Sequence, residues 1–263
     1  MIKRYFKLLL QLVRNNIVLE MEYRVKFIIS MLTSIYWVVF QLFLIELFFG
    51  YTNNLFGWNK AELFLFTGLF RLSKSLFDIF VRRNFFEFSE NVNQGLLDFI
   101  LTKPVNPLFL CSVRRHKYAN IPDLIIGTAV CFYVFNLMGV SISLATVFSL
   151  LLMVITGFVA YYSIFLLIVP LAIFMTRLTA ISDLNNVFAN MLRYPTTTIS
   201  RDNLVANLFL LPVAIVATLP IMIFLRKGGF LLILVELILV SVIFFAAISF
   251  WNFALKHYSS ASS

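Results

Sequence analysis

Apolar runs long enough to cross a lipid bilayer alternate with short polar segments along this chain, and they decide its fold class. A membrane-spanning helix needs about 20 consecutive apolar residues. Runs of that length cover residues 27–49, 61–81, 121–138, 144–176 and 230–253. The 263-residue chain is only 13% charged, whereas a soluble domain carries about 25% charged residues. We therefore expect one all-α integral membrane domain over residues 1–263, with about six transmembrane helices.

Basic residues predict which side of the membrane each polar segment faces. Segments rich in lysine and arginine tend to stay in the cytoplasm. The polar stretch 82–117 is bracketed by such residues, namely Arg82, Arg83, Arg114, Arg115 and Lys117. We therefore assign it to the cytoplasm, together with both termini and the tail 254–263, and we expect residues 50–60 and 226–229 to lie outside.

Residues 1–25 are predicted to form an amphipathic helix before the first span. On a helix, one face carries Ile2, Tyr5, Phe6, Leu9, Leu12 and Val13, and the opposite face carries Lys3, Arg4, Lys7, Gln11 and Arg14. A helix with one basic and one apolar face lies in the headgroup layer and does not cross the membrane. We expect this one at the inner surface.

The cytoplasmic stretch 82–117 is predicted to fold as helix, turn and helix. Apolar residues recur at steps of three and four, which predicts one amphipathic stripe made of Phe85, Phe88, Val92, Leu96 and Phe99. Gly95 is expected to break or bend this helix. Pro104 ends it, and Asn106 followed by Pro107 is a cap and first turn for the next helix. Such a rigid apolar and acidic element suits the docking of a cytoplasmic partner.

The predicted second span carries three charged residues, Arg71, Lys74 and Asp78, on a single helical face. Charges at membrane depth normally face a protein interior or a water-filled cavity. One interpretation makes these residues part of a substrate path or of a seam between subunits. The other makes Lys74 and Asp78 a pair on adjacent turns, with Arg71 paired or reaching toward the interface. The sequence leaves both open.

The run Gly95 to Phe109, GLLDFILTKPVNPLF, resembles the segment after the second span in type-2 permease subunits of bacterial ABC exporters, especially a six-span branch. The resemblance extends to Arg193, Tyr194 and Pro195 and to the terminal residues 258–263. It implies that the loop holds a coupling helix seated on an ATPase subunit. The ATPase-coupling residues it implies are Gly95, Leu96, Leu97, Asp98, Phe99, Thr102, Lys103, Pro104 and Val105.

Two predictions exist for the fifth span. Hydropathy alone favours residues 204–225 and leaves 177–203 in the cytoplasm. The resemblance instead implies a polar span over about 179–197 that ends outside near the outer-end motif Arg193, Tyr194 and Pro195, followed by a re-entrant hairpin before the last span. We favour the hairpin because Pro212 and Pro220 suit a broken helical pair, and non-helical backbone at that depth must be buried in protein or line a cavity.

The sequence contains none of the motifs that would make the chain an enzyme. It has no phosphate-binding loop of the form GxxxxGK[ST], no HExxH and no GxSxG. Cys111 and Cys131, like His116 and His257, lack the spacing of a metal site. Basic residues sit beside apolar runs, which argues for lipid headgroups and against nucleic acid as their partner.

The resemblance implies a permease subunit that binds no cofactor, with ATP and Mg on a separate ATPase subunit. Its other partners would be membrane lipid and a second permease subunit, identical or paralogous, in the bacterial inner membrane. One alternative is a proton-coupled secondary transporter that uses Asp78, Glu46 or Glu236, since acids in or beside membrane spans can carry protons. Another is a noncatalytic membrane scaffold.

Overall fold

The computed structural model describes residues 2–55, 57–141, 143–175, 187, 190–191, 195, 214–216, 218–225 and 230–258. These residues are helical or lie in turns and connectors, and no β-strand occurs among them. The helices are α1 (Ile2–Glu22), α2 (Arg24–Phe49), α3 (Lys60–Phe80), α4 (Arg82–Asn93), α5 (Asp98–Leu101), α6 (Pro107–Val113), α7 (Ile121–Leu137), α8 (Leu144–Ile168), α9 (Thr218–Phe224) and α10 (Phe230–Lys256). The predicted all-α fold class is confirmed for this part of the chain.

Four helical segments are long and apolar enough to cross a membrane: Arg24–Phe49, Tyr118–Leu137, Leu144–Ile173 and Leu231–Lys256. They correspond to the predicted first, third, fourth and last spans. The predicted second span is α3, whose 21 residues suffice in length but include too many charges to qualify by composition. The fifth span and the re-entrant hairpin fall largely outside the described residues, so the total of six spans stays a prediction.

Helix α3 is the centre of the bundle, and small residues bring its neighbours close to it. A Cβ atom on Gly68 would lie 2.7 Å from the sulfur of Cys131 in α7, and one on Gly127 would lie 3.1 Å from the carbonyl oxygen of Gly68. A Cβ atom on Gly157 of α8 would lie 2.6 Å from the hydroxyl of Ser73. Glycine is needed at these crossings because any side chain would hold the helix backbones apart.

Aromatic side chains fill the end of the bundle at which α3 meets α4. The ring of Phe77 lies 4.7 Å from that of Tyr161 and 4.8 Å from that of Phe165, both on α8. Phe88 of α4 packs on Trp251 of α10 at a centroid distance of 4.8 Å. Phe85 of α4 also lies 5.6 Å from Tyr162 of α8, so the first helix of the predicted cytoplasmic stretch is packed against two membrane helices, α8 and α10.

A proline ends the regular α-helix of α8. The α-helix stops at Ile168, and a 3₁₀ helix with Pro170 in its first turn covers Val169–Ile173. Proline lacks an N–H and its ring crowds the carbonyl four residues earlier, so the regular helix cannot continue through it. The resulting 3₁₀ segment packs against α4.

Helix α2 is the least embedded of the long helices. Val38 is its one fully buried residue, and large apolar side chains such as Ile28, Leu32 and Phe43 are more than half exposed. A single residue, Tyr23, separates it from α1, so the first helix ends at Glu22 and the span begins at Arg24, three residues before the predicted start. Its outward face is available to lipid or to a second subunit.

Candidate functional site

The first helix of the predicted coupling loop ends at its glycine. Gly95 has a φ of +69°, the left-handed region that glycine adopts at low cost. The Leu96 N–H donates to the Asn91 carbonyl at 2.8 Å, and the Gly95 N–H donates to the Val92 carbonyl at 3.3 Å. This is a Schellman motif, which satisfies the last carbonyls of α4. The predicted break at Gly95 is confirmed.

The apolar stripe of the loop is shorter than the sequence predicts. Phe85, Phe88 and Val92 are buried, with at most 9% of each side chain exposed. Leu96 and Phe99 do not continue this stripe: they are 41% and 69% exposed. The prediction of one continuous face is therefore wrong beyond Val92, because the left-handed residue turns the chain before Leu96.

The second half of the loop follows the predicted capping pattern. A single turn, α5, covers Asp98–Leu101. The side-chain oxygen of Asn106 accepts a hydrogen bond from the Leu108 N–H at 2.9 Å, and Pro107 occupies the first turn of α6. Both features satisfy or remove donors that a helix N-terminus leaves unpaired.

The nine predicted ATPase-coupling residues, of which Leu96, Leu97, Asp98, Phe99 and Lys103 are the predicted direct contacts, differ in their exposure. Leu97 is fully buried in the chain's own core, which does not fit its predicted role as a direct contact. Its side chain instead holds the loop against the bundle. The remaining predicted residues are half-buried at Gly95, Asp98 and Val105 and exposed at Leu96, Phe99, Thr102, Lys103 and Pro104.

A buried asparagine that the sequence analysis missed fixes the loop to the bundle. The amide nitrogen of Asn84 lies 2.8 to 2.9 Å from the carbonyl oxygens of Phe80, Ser112 and Arg115, and its oxygen accepts from the Arg115 N–H at 2.6 Å. The hydroxyl of Ser112 also lies 2.8 Å from that of Tyr162 on α8. The two ends of the loop are thus joined to each other and to the membrane helices.

The amphipathic helix α1 lies along the loop. The ring of Tyr5 meets that of Phe109 at 4.9 Å, and the Asn16 amide donates to the Arg114 carbonyl at 3.1 Å. Near the end of α1, the Glu20 carboxylate accepts from the Tyr118 N–H at 3.0 Å. Burial raises the pKa of Glu20, although that hydrogen bond acts in the opposite direction. These contacts join elements about 100 residues apart, which no local pattern reveals.

The three charged residues of α3 face a cavity of about 740 Å³ between α2, α3 and α7. Lys74 and Asp78 form an ion pair, and Arg82 lies 3.6 Å from the same carboxylate. Arg71 contacts Asp123 of α7 at 3.3 Å and donates to Gln41 of α2 at 2.6 Å. The predicted pairing is therefore present, and the same residues also line a cavity. Their role in a substrate path stays a prediction.

The other acids proposed as proton carriers occupy different settings. Glu46 forms an exposed pair with Lys60 at 2.6 Å. Glu236 of α10 is only 3% exposed, and in the described part of the chain no group donates a hydrogen bond to its Oε1.

The outer-end motif, the cysteines and possible metal ligands remain to be placed in the structure. Arg193 and Tyr194 of the outer-end motif lie outside the described residues, whereas Pro195 is buried. Burial raises the pKa of Cys111 to about 12, so its thiol is unreactive. Among the residues with described positions, no cluster of three or more His, Cys, Asp or Glu side chains could hold a metal ion.

Comparison with known proteins gives one match. The family model described as ABC-2 family transporter protein matches residues 35–262. No curated protein and no solved structure matches the chain. The matched range runs from the middle of α2 past the end of α10. It contains the loop, all the predicted spans after the first, and most of the residues that line the cavity, whereas Lys26, Ile29, Ser30, Thr33 and Ser34 of that lining precede it. The chain therefore belongs to the ABC-2 family of membrane transport proteins.

Proposed function

We propose that this chain is the permease subunit of an ATP-driven ABC exporter of the bacterial inner membrane. Two such subunits, identical or paralogous, form the translocation pathway, and each presents its 82–117 loop to a separate ATPase subunit. Both termini face the cytoplasm in this arrangement. ATP and Mg bind to the ATPase, and this chain supplies no residue to the chemistry of hydrolysis.

The observation that carries the proposal is the exposure of Leu96 and Phe99 on an otherwise firmly held loop. In the predicted topology these two large apolar side chains face the cytoplasm, where their exposure to water is costly unless a partner covers them. Leu97, between them in sequence, points into the core, so the pair is presented on a fixed base. Exposed Thr102 and Lys103 form a polar edge beside it. A short apolar element with a polar rim suits a groove on another protein.

The contacts of the loop explain how a push on it would reach the pathway. Asn84 connects α4 to the end of α6, and Phe88 packs on Trp251 of α10. A displacement of the loop therefore moves the inner ends of several membrane helices together. ATP binding would favour one of two bundle arrangements only to the extent that the ATPase pair holds the loop better in that arrangement.

The test is replacement of Phe99 with aspartate. We expect the variant to insert and fold normally, because the side chain is 69% exposed, and to lose roughly tenfold or more in affinity for its ATPase subunit. Pull-down from native membranes, with detection of a protein that carries a phosphate-binding loop, measures this loss. Gln94→Glu is the matched control, since it adds one negative charge at an exposed position of the same loop.

Two results would contradict the proposal. One is that wild-type chain captures no nucleotide-binding subunit at all. The other is that Phe99→Asp captures it as well as Gln94→Glu does and supports the same export.

A second candidate function, proton-coupled transport, is favoured only by Glu236. A buried carboxyl group with an unbonded oxygen is a place where a proton can bind and leave. Uptake or efflux by the purified chain in liposomes, driven by an imposed proton gradient without ATP and abolished by Glu236→Gln, would support this candidate. Absence of gradient-driven transport in the same liposomes would exclude it.

A further inference from the structure

The cavity between α2, α3 and α7 is strongly basic. Six cationic side chains and two carboxylates line it: Lys26, Arg71, Lys74, Arg82, Arg83 and Lys117 against Asp78 and Asp123. Its volume of about 740 Å³ lies in the range of pockets that hold small ligands. We call it the basic cleft.

The positive charge of the basic cleft is neutralised in its interior. It is unbalanced at the end lined by Lys26 and Lys117, which we call the mouth. Lys74 pairs with Asp78, and Arg71 pairs with Asp123. No carboxylate of the described residues lies within ion-pair distance of the Lys26 or Lys117 ammonium groups. Burial lowers the pKa of Lys117, and the charge of Arg82 adds to this effect while that of Asp78 opposes it. A bound anion would therefore stabilise the charged ammonium groups at the mouth.

Apolar side chains line the basic cleft along the length of α2. They are Ile29, Trp37, Phe40 and Leu44, which alternate with the polar Ser30, Thr33, Ser34 and Gln41, and Phe70 of α3 faces the end away from the mouth. From Lys26 to Leu44, at about 1.5 Å per residue, the cleft follows α2 for about 27 Å, close to the thickness of a bilayer's hydrocarbon core. One ligand that filled the cleft would need an anionic end at the mouth and a long apolar end beyond it.

We propose that the basic cleft binds an acidic phospholipid of the inner leaflet, with the phosphate between Lys26 and Lys117 and an acyl chain along the apolar wall. The mouth lies at the inner ends of α2, α3 and α7 in the predicted topology, at the depth of lipid headgroups. An acidic peptide could match the charge but has no counterpart for the long apolar wall.

The experiment measures lipid retention by the purified full chain. Native mass spectrometry compares phosphatidylglycerol with phosphatidylcholine of the same acyl chains, and no ATPase subunit is present. We expect preferential retention of phosphatidylglycerol. Lys26→Gln combined with Lys117→Gln should weaken it about 30-fold, since each lysine near an anionic lipid contributes about fivefold. Arginine at both positions should preserve it.

Matched controls separate this site from general surface charge. Lys60→Gln combined with Lys256→Gln removes the same charge from exposed positions outside the cleft and should leave retention unchanged. If the first pair of substitutions lowers the melting temperature, Ser30→Glu offers an independent test, because it places a carboxylate in the lining. We expect Ser30→Glu to abolish the preferential retention of phosphatidylglycerol and to leave the melting temperature unchanged.

Three outcomes would overturn the inference. The first is equal retention of the two lipids, and the second is equal weakening by the control pair. The third is competition by inorganic phosphate at the same concentration as the lipid, which would show that the mouth binds a free anion and that the apolar wall is irrelevant. Because the ATPase is absent, these results do not depend on whether the loop binds one.

Discussion

Replacing Asp123 with asparagine removes the carboxylate that faces Arg71 across the contact of α3 and α7, while the size and shape of the side chain are kept. The Asp123 Oδ1 lies 3.3 Å from Nη1 of Arg71, and the two side chains are 9% and 11% exposed. The guanidinium keeps its hydrogen bond to Gln41. It loses its counter-charge at a depth where solvation by water is poor.

The expected destabilisation follows from this geometry. Removal of one partner of a buried ion pair costs about 3 to 5 kcal/mol. The Gln41 contact and the opening of Arg71 to the basic cleft place this case at the lower end, near 3 kcal/mol by the same scale. At about 2 to 4 °C per kcal/mol for a protein of this size, the melting temperature should fall by roughly 6 to 12 °C.

Circular dichroism at 222 nm, recorded during heating in one detergent, measures the change. Combining Asp123→Asn with Arg71→Gln should recover most of the loss, because no unpaired charge then remains. Glu46→Gln is the matched control, since its pair with Lys60 is about half exposed and is worth less than about 1 kcal/mol. The reasoning fails if Asp123→Asn melts within about 2 °C of wild type, or no lower than Glu46→Gln.

Two further substitutions test other parts of the fold. Gly127→Val places a side chain 3.1 Å from the carbonyl oxygen of Gly68, so α3 and α7 must separate, and we expect loss of monodisperse protein in size-exclusion chromatography; an unchanged elution profile would show that this crossing is not tight. Cys111, with a pKa of about 12, should resist N-ethylmaleimide at pH 8 in folded protein, because only about one thiol in 10⁴ is ionised. Intact-mass analysis should show its modification only after denaturation. Greater modification of folded wild type than of folded Cys111→Ser, which lacks this thiol, would contradict the assigned burial.

Local signals in the sequence predicted local structure well. Asn106 and Pro107 start α6 and Gly95 ends α4, because each acts through backbone conformation or through hydrogen bonds to residues a few positions away. The lengths of the apolar runs likewise predicted the long helices. Where the prediction extended a period through Gly95 to Leu96 and Phe99, it failed, because a period counts residues but does not register a change of chain direction.

Tertiary partners were beyond the reach of these signals. Asn84 is one asparagine among many, and nothing near it in sequence shows that the end of α6 supplies its hydrogen-bond partners. The Arg71–Asp123 pair joins residues 52 positions apart. The sequence therefore identified Arg71 as a charge in need of a partner but not Asp123 as that partner. In the sequence, Leu97 cannot be distinguished from its neighbour Leu96. Only the structure shows that Leu97 is buried and Leu96 is exposed.

The attachment of α1 to the loop extends the proposed coupling to the lipid surface. Tyr5, Asn16 and Glu20 bond the helix to the loop along most of its length, while apolar side chains such as Phe6 and Val18 remain outside the protein core. If α1 lies in the headgroup layer and the loop moves as proposed, a tilt of the loop would pull α1 sideways through the headgroups. The viscosity and lateral pressure of the inner leaflet would then resist that tilt.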